Sequence, residues 1–105
     1  MDELFEPDDN PEVPEGGFLR MLPIINRRGL HARASAKFVQ TVERFDAVVT
    51  VTRAGETVGG RSIMGLLTLG AAMGTRIAVT AVGEDAQECL DAIEALLANK
   101  FGEDE

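Results

Sequence analysis

The sequence predicts one α+β domain in the order β-α-β-β-α-β-α, with a four-stranded, mostly antiparallel sheet carrying three helices on one face. Three observations lead there. Residues 47–53 and 76–82 alternate in the β-branched manner of half-buried strands. Residues 32–44 and 86–97 place their apolar side chains at helical spacing. The chain has 105 residues, enough for one core and too few for two.

The elements follow in order. Phe18 to Ile25 reads as a strand, and Pro23, which has no amide to give, assigns it to a sheet edge. Asn26-Arg27-Arg28-Gly29 is a turn. Phe38, Val39, Val42 and Phe45 then mark a helix from Ala32 to Arg44. Ala47 to Arg53 is a strand with Ala47, Val49 and Val51 inward, and Ala54-Gly55 closes a hairpin to Thr57-Val58. Ser62 opens a second helix predicted to run to about Met73, with Gly74 ending it and Leu66, Leu69 and Met73 in the core. Arg76 to Val82 is the last strand. A third helix carries the stripe Ala86, Cys89, Leu90, Ile93, Leu96 and Leu97. A right-handed crossover through the first helix sets its two flanking strands in one sheet with a slot between them for the last strand.

Charge divides the chain. Residues 1–17 hold only acids among their charged residues, with Pro7, Pro11 and Pro14, and are expected to form a disordered tail before a domain at 18–105. Leu4 and Phe5 in that tail are either a weak docking element or part of an inert extension. Between Phe18 and Arg61 bases outnumber acids although the whole chain carries −8, so this stretch suits an acidic partner or a phosphate. Nucleic acid fits poorly, because the total charge is wrong and no Trp or Tyr is present for stacking. The single Cys89 allows no internal disulfide and reads as buried filler. No metal cluster or cofactor motif is present in the sequence. With no apolar run of membrane-spanning length and no basic-apolar leader, the expected setting is the cytoplasm.

His31, the only histidine, stands where the turn becomes a helix. The first-turn amides of Ala32, Arg33 and Ala34 have no acceptors within the helix and, with its dipole, make an anion site. Arg33 adds a guanidinium matched to phosphate oxygens. A helix start also takes a histidine as a simple cap, so the residues alone leave cap and phosphoryl acceptor both open. Ser62 likewise reads as a plain N-cap, and Ile63, Met64 and Leu67 as plain core. Yet residues 63–70 hold more large apolar side chains than one buried stripe uses. A self-standing enzyme is disfavoured, since one general acid-base candidate leaves little for turnover.

Asn26-Arg27-Arg28-Gly29-Leu30-His31-Ala32-Arg33 resembles the active-site signature of the HPr family, histidine-containing phosphocarriers of the bacterial phosphotransferase system. Gly60-Arg61-Ser62-Ile63-Met64-Gly65-Leu66-Leu67-Thr68-Leu69-Gly70 resembles its second signature, and the likeness runs from about Phe18 to Lys100. The resemblance implies an open-faced β-sandwich and phosphorylation of His31 on Nδ1 by Enzyme I, using phosphoenolpyruvate, with transfer to a IIA-type receiver. It further implies Ser62 as the target of an HPr kinase/phosphorylase, Ile63, Met64 and Leu67 as a docking patch, and a monomer. Many family members carry proline where this chain has Ala34, and His31-Ala32-Arg33-Ala34-Ser35-Ala36 looks like the nitrogen-related branch. A second class stays open: a regulatory binding module whose affinity Ser62 phosphorylation switches.

Overall fold

A computed structural model describes residues 12–103; the acidic segment 1–11, with Leu4 and Phe5, lies outside them. The strands are β1 (Phe18–Pro23), β2 (Val48–Arg53), β3 (Glu56–Gly59) and β4 (Arg76–Val82). The helices are α1 (Ala32–Val42), α2 (Ile63–Thr68) and α3 (Ala86–Ala98), followed by a 3-10 turn at Lys100–Gly102. The sheet order is β1-β4-β2-β3 with every pairing antiparallel, so β4 fills the slot between the crossover strands.

Alternation sets the two faces of this sheet. Val49, Val51, Ile77, Val79 and Ala81 point into a core closed by Phe38 and Val42 of α1, Leu66 of α2, and Leu90 and Ile93 of α3. The alternate residues face away from the helices, and there threonines meet across strands. Thr50 and Thr80 are register partners whose hydroxyls lie 2.5 Å apart. Thr52 and Thr57 are partners at 2.7 Å. Arg20 ties β1 to α3 through Asp91 and Glu94, each at 2.8 Å. The hairpin turn holds both Ala54 (φ 51°) and Gly55 (φ 84°) in the left-handed region, the geometry that matches strand twist.

The structure corrects several element boundaries. β1 stops at Pro23, where the missing amide ends the ladder; Ile24 instead donates to the Thr75 carbonyl at 2.8 Å. α1 ends at Val42 rather than Arg44, as the amides of Arg44 and Phe45 turn back to Thr41 and Val42. α2 is much shorter than the pattern suggests. Its chain leaves the helix at Gly70 (φ 62°), which takes the terminating role assigned to Gly74. Two bonds hold this departure: Arg53 donates to the Leu69 carbonyl at 3.0 Å, and Leu30 donates to that of Ala71 at 3.0 Å. Freed from helix, Met73 is 56% exposed and not a core residue.

Candidate functional site

The turn before α1 is built around Asn26, which is wholly buried. Gly29 donates to the Asn26 carbonyl at 3.2 Å, and the Asn26 Nδ2 donates to the Gly29 carbonyl at 2.9 Å, so backbone and side chain close the same loop. Gly29 has φ 68°, and a Cβ there would lie 2.4 Å from the Ala71 carbonyl oxygen. That closeness lets Leu30 reach Ala71 and fixes the loop against the segment after α2.

His31 is the N-cap residue of α1, extended at φ −76° and ψ −177°, and its carbonyl accepts from Ser35 at 2.8 Å. Its side chain makes no capping hydrogen bond to the first turn, so the ring leaves the amides of Ala32, Arg33 and Ala34 uncapped by it. Ala32 and Arg33 are exposed, whereas the Ala34 side chain is buried against the core. The ring borders an open cleft of about 330 Å³ shared with Arg28, Leu67 and Gly70.

The ring's Nε2 is engaged by Oε2 of Glu103, and Oε1 of the same carboxylate accepts from Asn26 Nδ2 at 3.0 Å. Both oxygens of Glu103 thus serve the site's loop and its histidine. Burial pushes the Glu103 carboxyl up, but the bonds from His31 and Asn26, with the fields of His31 and Arg28, together hold it below its usual range. The 3-10 turn positions Glu103. Phe101 is buried in the core, and Lys37 donates to its carbonyl at 2.6 Å. Lys100 (φ 56°) and Phe101 (φ 58°) are both left-handed, a conformation that costs about 1 kcal/mol per residue. Nδ1 of His31 makes no hydrogen bond among the described residues.

Much of the basic excess around residues 18–61 is used within the fold. Arg20 meets α3, Lys37, Arg53 and Arg61 donate to backbone carbonyls, and Arg44 lies over the Phe45 ring at 5.5 Å. Arg28 and Arg33 are exposed on either side of His31 in the sequence, and Arg28 lines the same cleft. At α2, Ser62 accepts from the Gly65 amide at 2.9 Å, confirming the cap. Met64 is 70% and Ile63 39% exposed, Leu67 is half-buried beside the His31 cleft, and Leu66 and Leu69 are core. Cys89 is fully buried, and burial pushes its thiol up, away from reactivity.

Sequence reasoning missed Asn26 as more than a turn residue, and missed Glu103 altogether. The available signal was Phe101-Gly102 set just before an acid: a large apolar residue after the last helix anchors whatever follows it.

A ring nitrogen presented at an uncapped helix start, under an open sheet with helices on one face, is the arrangement of a histidine phosphocarrier. The comparisons agree. Residues 20–99 match the family model described as PTS HPr component phosphorylation site. The chain is 48% identical over 82 residues to phosphocarrier protein HPr of Cupriavidus necator, covering 78% of this chain and 92% of that one. It is 40% identical over 84 residues to phosphocarrier protein NPr of Shewanella violacea, covering 80% and 92%. The crystal structure of HPr-C-His from Thermoanaerobacter tengcongensis superposes with a TM-score of 0.80 at 36% identity, covering 84% of this chain and 99% of that one. This chain belongs to the HPr family: it is a phosphocarrier protein of the phosphotransferase system, not a catalyst. No helix among the described residues is long and apolar enough to cross a membrane.

Proposed function

We propose that His31 accepts the phosphoryl group on Nδ1 from phospho-Enzyme I, itself charged by phosphoenolpyruvate, and yields it to a IIA-type receiver. The observation that carries this reading is the division of the ring: Nε2 faces Glu103, and Nδ1 is free at the start of α1. A phosphoryl group on Nδ1 would meet the first-turn amides of Ala32, Arg33 and Ala34, with the Arg33 guanidinium as a charge clamp. The adjoining apolar surface of Ile63, Met64 and Leu67 serves as the landing face for donor and receiver alike; an exposed methionine suits a surface that meets several partners. The protein works as a cytoplasmic monomer in this scheme, and its receiver belongs to the nitrogen-related branch, in keeping with Ala34 at the position where many relatives have proline.

Ser62 is exposed at the start of α2 and open to an HPr kinase/phosphorylase. Phosphate there would place negative charge beside the landing face without unfolding the helix, because a helix start tolerates an anion. Arg61 is turned to the carbonyls of Phe45 and Ala47, so little of its charge is reserved for Ser62. Incubation with Enzyme I and phosphoenolpyruvate tests the main proposal: one acid-labile phosphate is expected, absent in His31→Ala. Labelling that persists in His31→Ala overturns it.

A further inference from the structure

The side of the sheet turned away from the helices has the wrong make-up for a face met by water. Of the strand residues on it Arg76 alone is charged, and Leu19, Met21, Val48 and Val82 are apolar, where an open antiparallel sheet is ordinarily polar. Thr50 spends its hydroxyl on Thr80 and Thr52 on Thr57, so these groups ask little of the solvent. At the centre Ala78 is 0% exposed without belonging to the core under the helices, and Thr52 and Thr80 are buried beside it. We propose that residues 1–11 lie back across this open face, seating Leu4 and Phe5 on Ile25 and Met73 and bringing Asp8 and Asp9 to Arg76. This covering is independent of what His31 does, and it leaves the cleft and the α2 surface free.

The chain is turned back before β1 begins. Gly17 donates to the Pro14 carbonyl at 2.8 Å and Gly16 is left-handed at φ 74°, a turn that reverses direction at residues 14–17. A Cβ on Gly17 would lie 2.8 Å from the Ala81 carbonyl oxygen and 2.9 Å from Pro14 Cγ, so glycine is what lets this turn pack against β4. Further back, Pro7 and Pro11 each lack an amide, which disfavours a strand paired along the outer edge of β1 and favours passage over the face.

Reach and level agree. Stepping back residue for residue from Pro14 and Gly17 brings Asp8 level with Pro23, whose register partner is Arg76, and Phe5 level with Asn26. The chain from Val13 back to Phe5 spans about 26 Å when extended, against about 17 Å for β1. At that end two large apolar side chains stand exposed, Ile25 at 40% and Met73 at 56%. Ile24 donates to Thr75 at 2.8 Å and accepts from Gly74 at 2.9 Å, so the stretches carrying Ile25 and Met73 run side by side. Arg76 is exposed and makes no ion pair among the described residues. An exposed ion pair contributes little by itself, so the apolar contacts hold the segment and Arg76 aligns its acids.

The test uses the full chain with ¹³C in its methionine methyls and a nitroxide attached at Glu6→Cys. Cys89 is fully buried, so the introduced thiol is the one that takes the label. Met21 reports on the open face, Met73 on its far end and Met64 on the exposed side of α2. The methyl signals of Met21 and Met73 are expected to lose most of their intensity to the nitroxide while that of Met64 keeps its own. Adding Leu4→Ser and Phe5→Ser is expected to restore both signals. Full intensity at Met73, or a loss that survives the two serine substitutions, overturns the proposal. A loss centred on Met64 also overturns it, since the segment would then lie on the α2 surface. So does a loss passed from nitroxide-bearing chains without ¹³C to ¹³C chains without nitroxide, since a second copy would then be the occupant.

Discussion

Gly29 offers a clean measure of how tightly the site's loop is pressed onto the rest of the fold. Its φ of 68° is nearly that of Gly70, at 62°, so replacing either by alanine pays the same left-handed penalty, about 1 kcal/mol. The surroundings differ. A Cβ at Gly70 meets nothing within 4 Å, whereas at Gly29 it would lie 2.4 Å from the Ala71 oxygen and 2.9 Å from the Ala72 Cα. Both obstacles are backbone and cannot rotate aside. Relief requires the loop to lift by about an ångström, enough to break the 3.0 Å bond from Leu30 to Ala71, which adds about 1 kcal/mol, with lost packing of buried Leu30 on top. Gly29→Ala should therefore lose about 2–4 kcal/mol in urea unfolding and Gly70→Ala about 1 kcal/mol. The lifted loop also carries His31, so Gly29→Ala should accept phosphate more slowly even when fully folded. Equal losses for the two variants would refute the reasoning, since the close approach would then be worth nothing.

Removing the cap in Ser62→Ala should cost about 1 kcal/mol in the same unfolding assay, because α2 has only six residues and Gly65 loses its acceptor. Ser62→Asp should keep the cap and the stability within about 0.5 kcal/mol while slowing phosphorylation by Enzyme I, as steady-state kinetics would read. Met64→Ser should leave the unfolding midpoint unchanged, since the side chain is 70% exposed, but weaken Enzyme I binding by titration calorimetry. The Glu103 carboxyl titrates below its ordinary value of 4.5, so its contribution to stability is complete above that value and is lost as pH falls through the lower folded value. Unfolding midpoints taken down through that acid range should fall less steeply for Glu103→Gln than for wild type.

The fold was legible wherever one physical signal dominated. β-branched alternation located β2 and β4, and the stripe from Ala86 to Leu97 located α3, because each pattern is written within one short stretch of sequence. α2 was overextended because its sequence stays apolar through Met73. It ends where Gly70 turns left-handed, and a tertiary bond fixes that choice of glycine: Leu30, more than forty residues earlier, donates to the Ala71 carbonyl. The place of His31 at the start of α1 was legible because turn and helix start are local in sequence, while its role as acceptor came from the resemblance. Its partner was not legible. Glu103 reaches the ring across a separation of 72 residues, and neither spacing nor periodicity records a contact of that kind.

The sheet order has a bearing on synthesis. β4 lies between β1 and β2 and arrives after both, so a nascent chain halted before Arg76 has only the β2–β3 hairpin to pair. The bond from Ile24 to Thr75 and the landing of Leu30 on Ala71 wait for the same stretch, and the carboxylate of residue 103 comes later still. A growing polypeptide on the ribosome therefore displays its histidine long before the groups that surround it in the fold have been made. Closure of the sheet, and with it the final setting of the loop before α1, waits for the strand that comes last in the chain and fills the gap left for it.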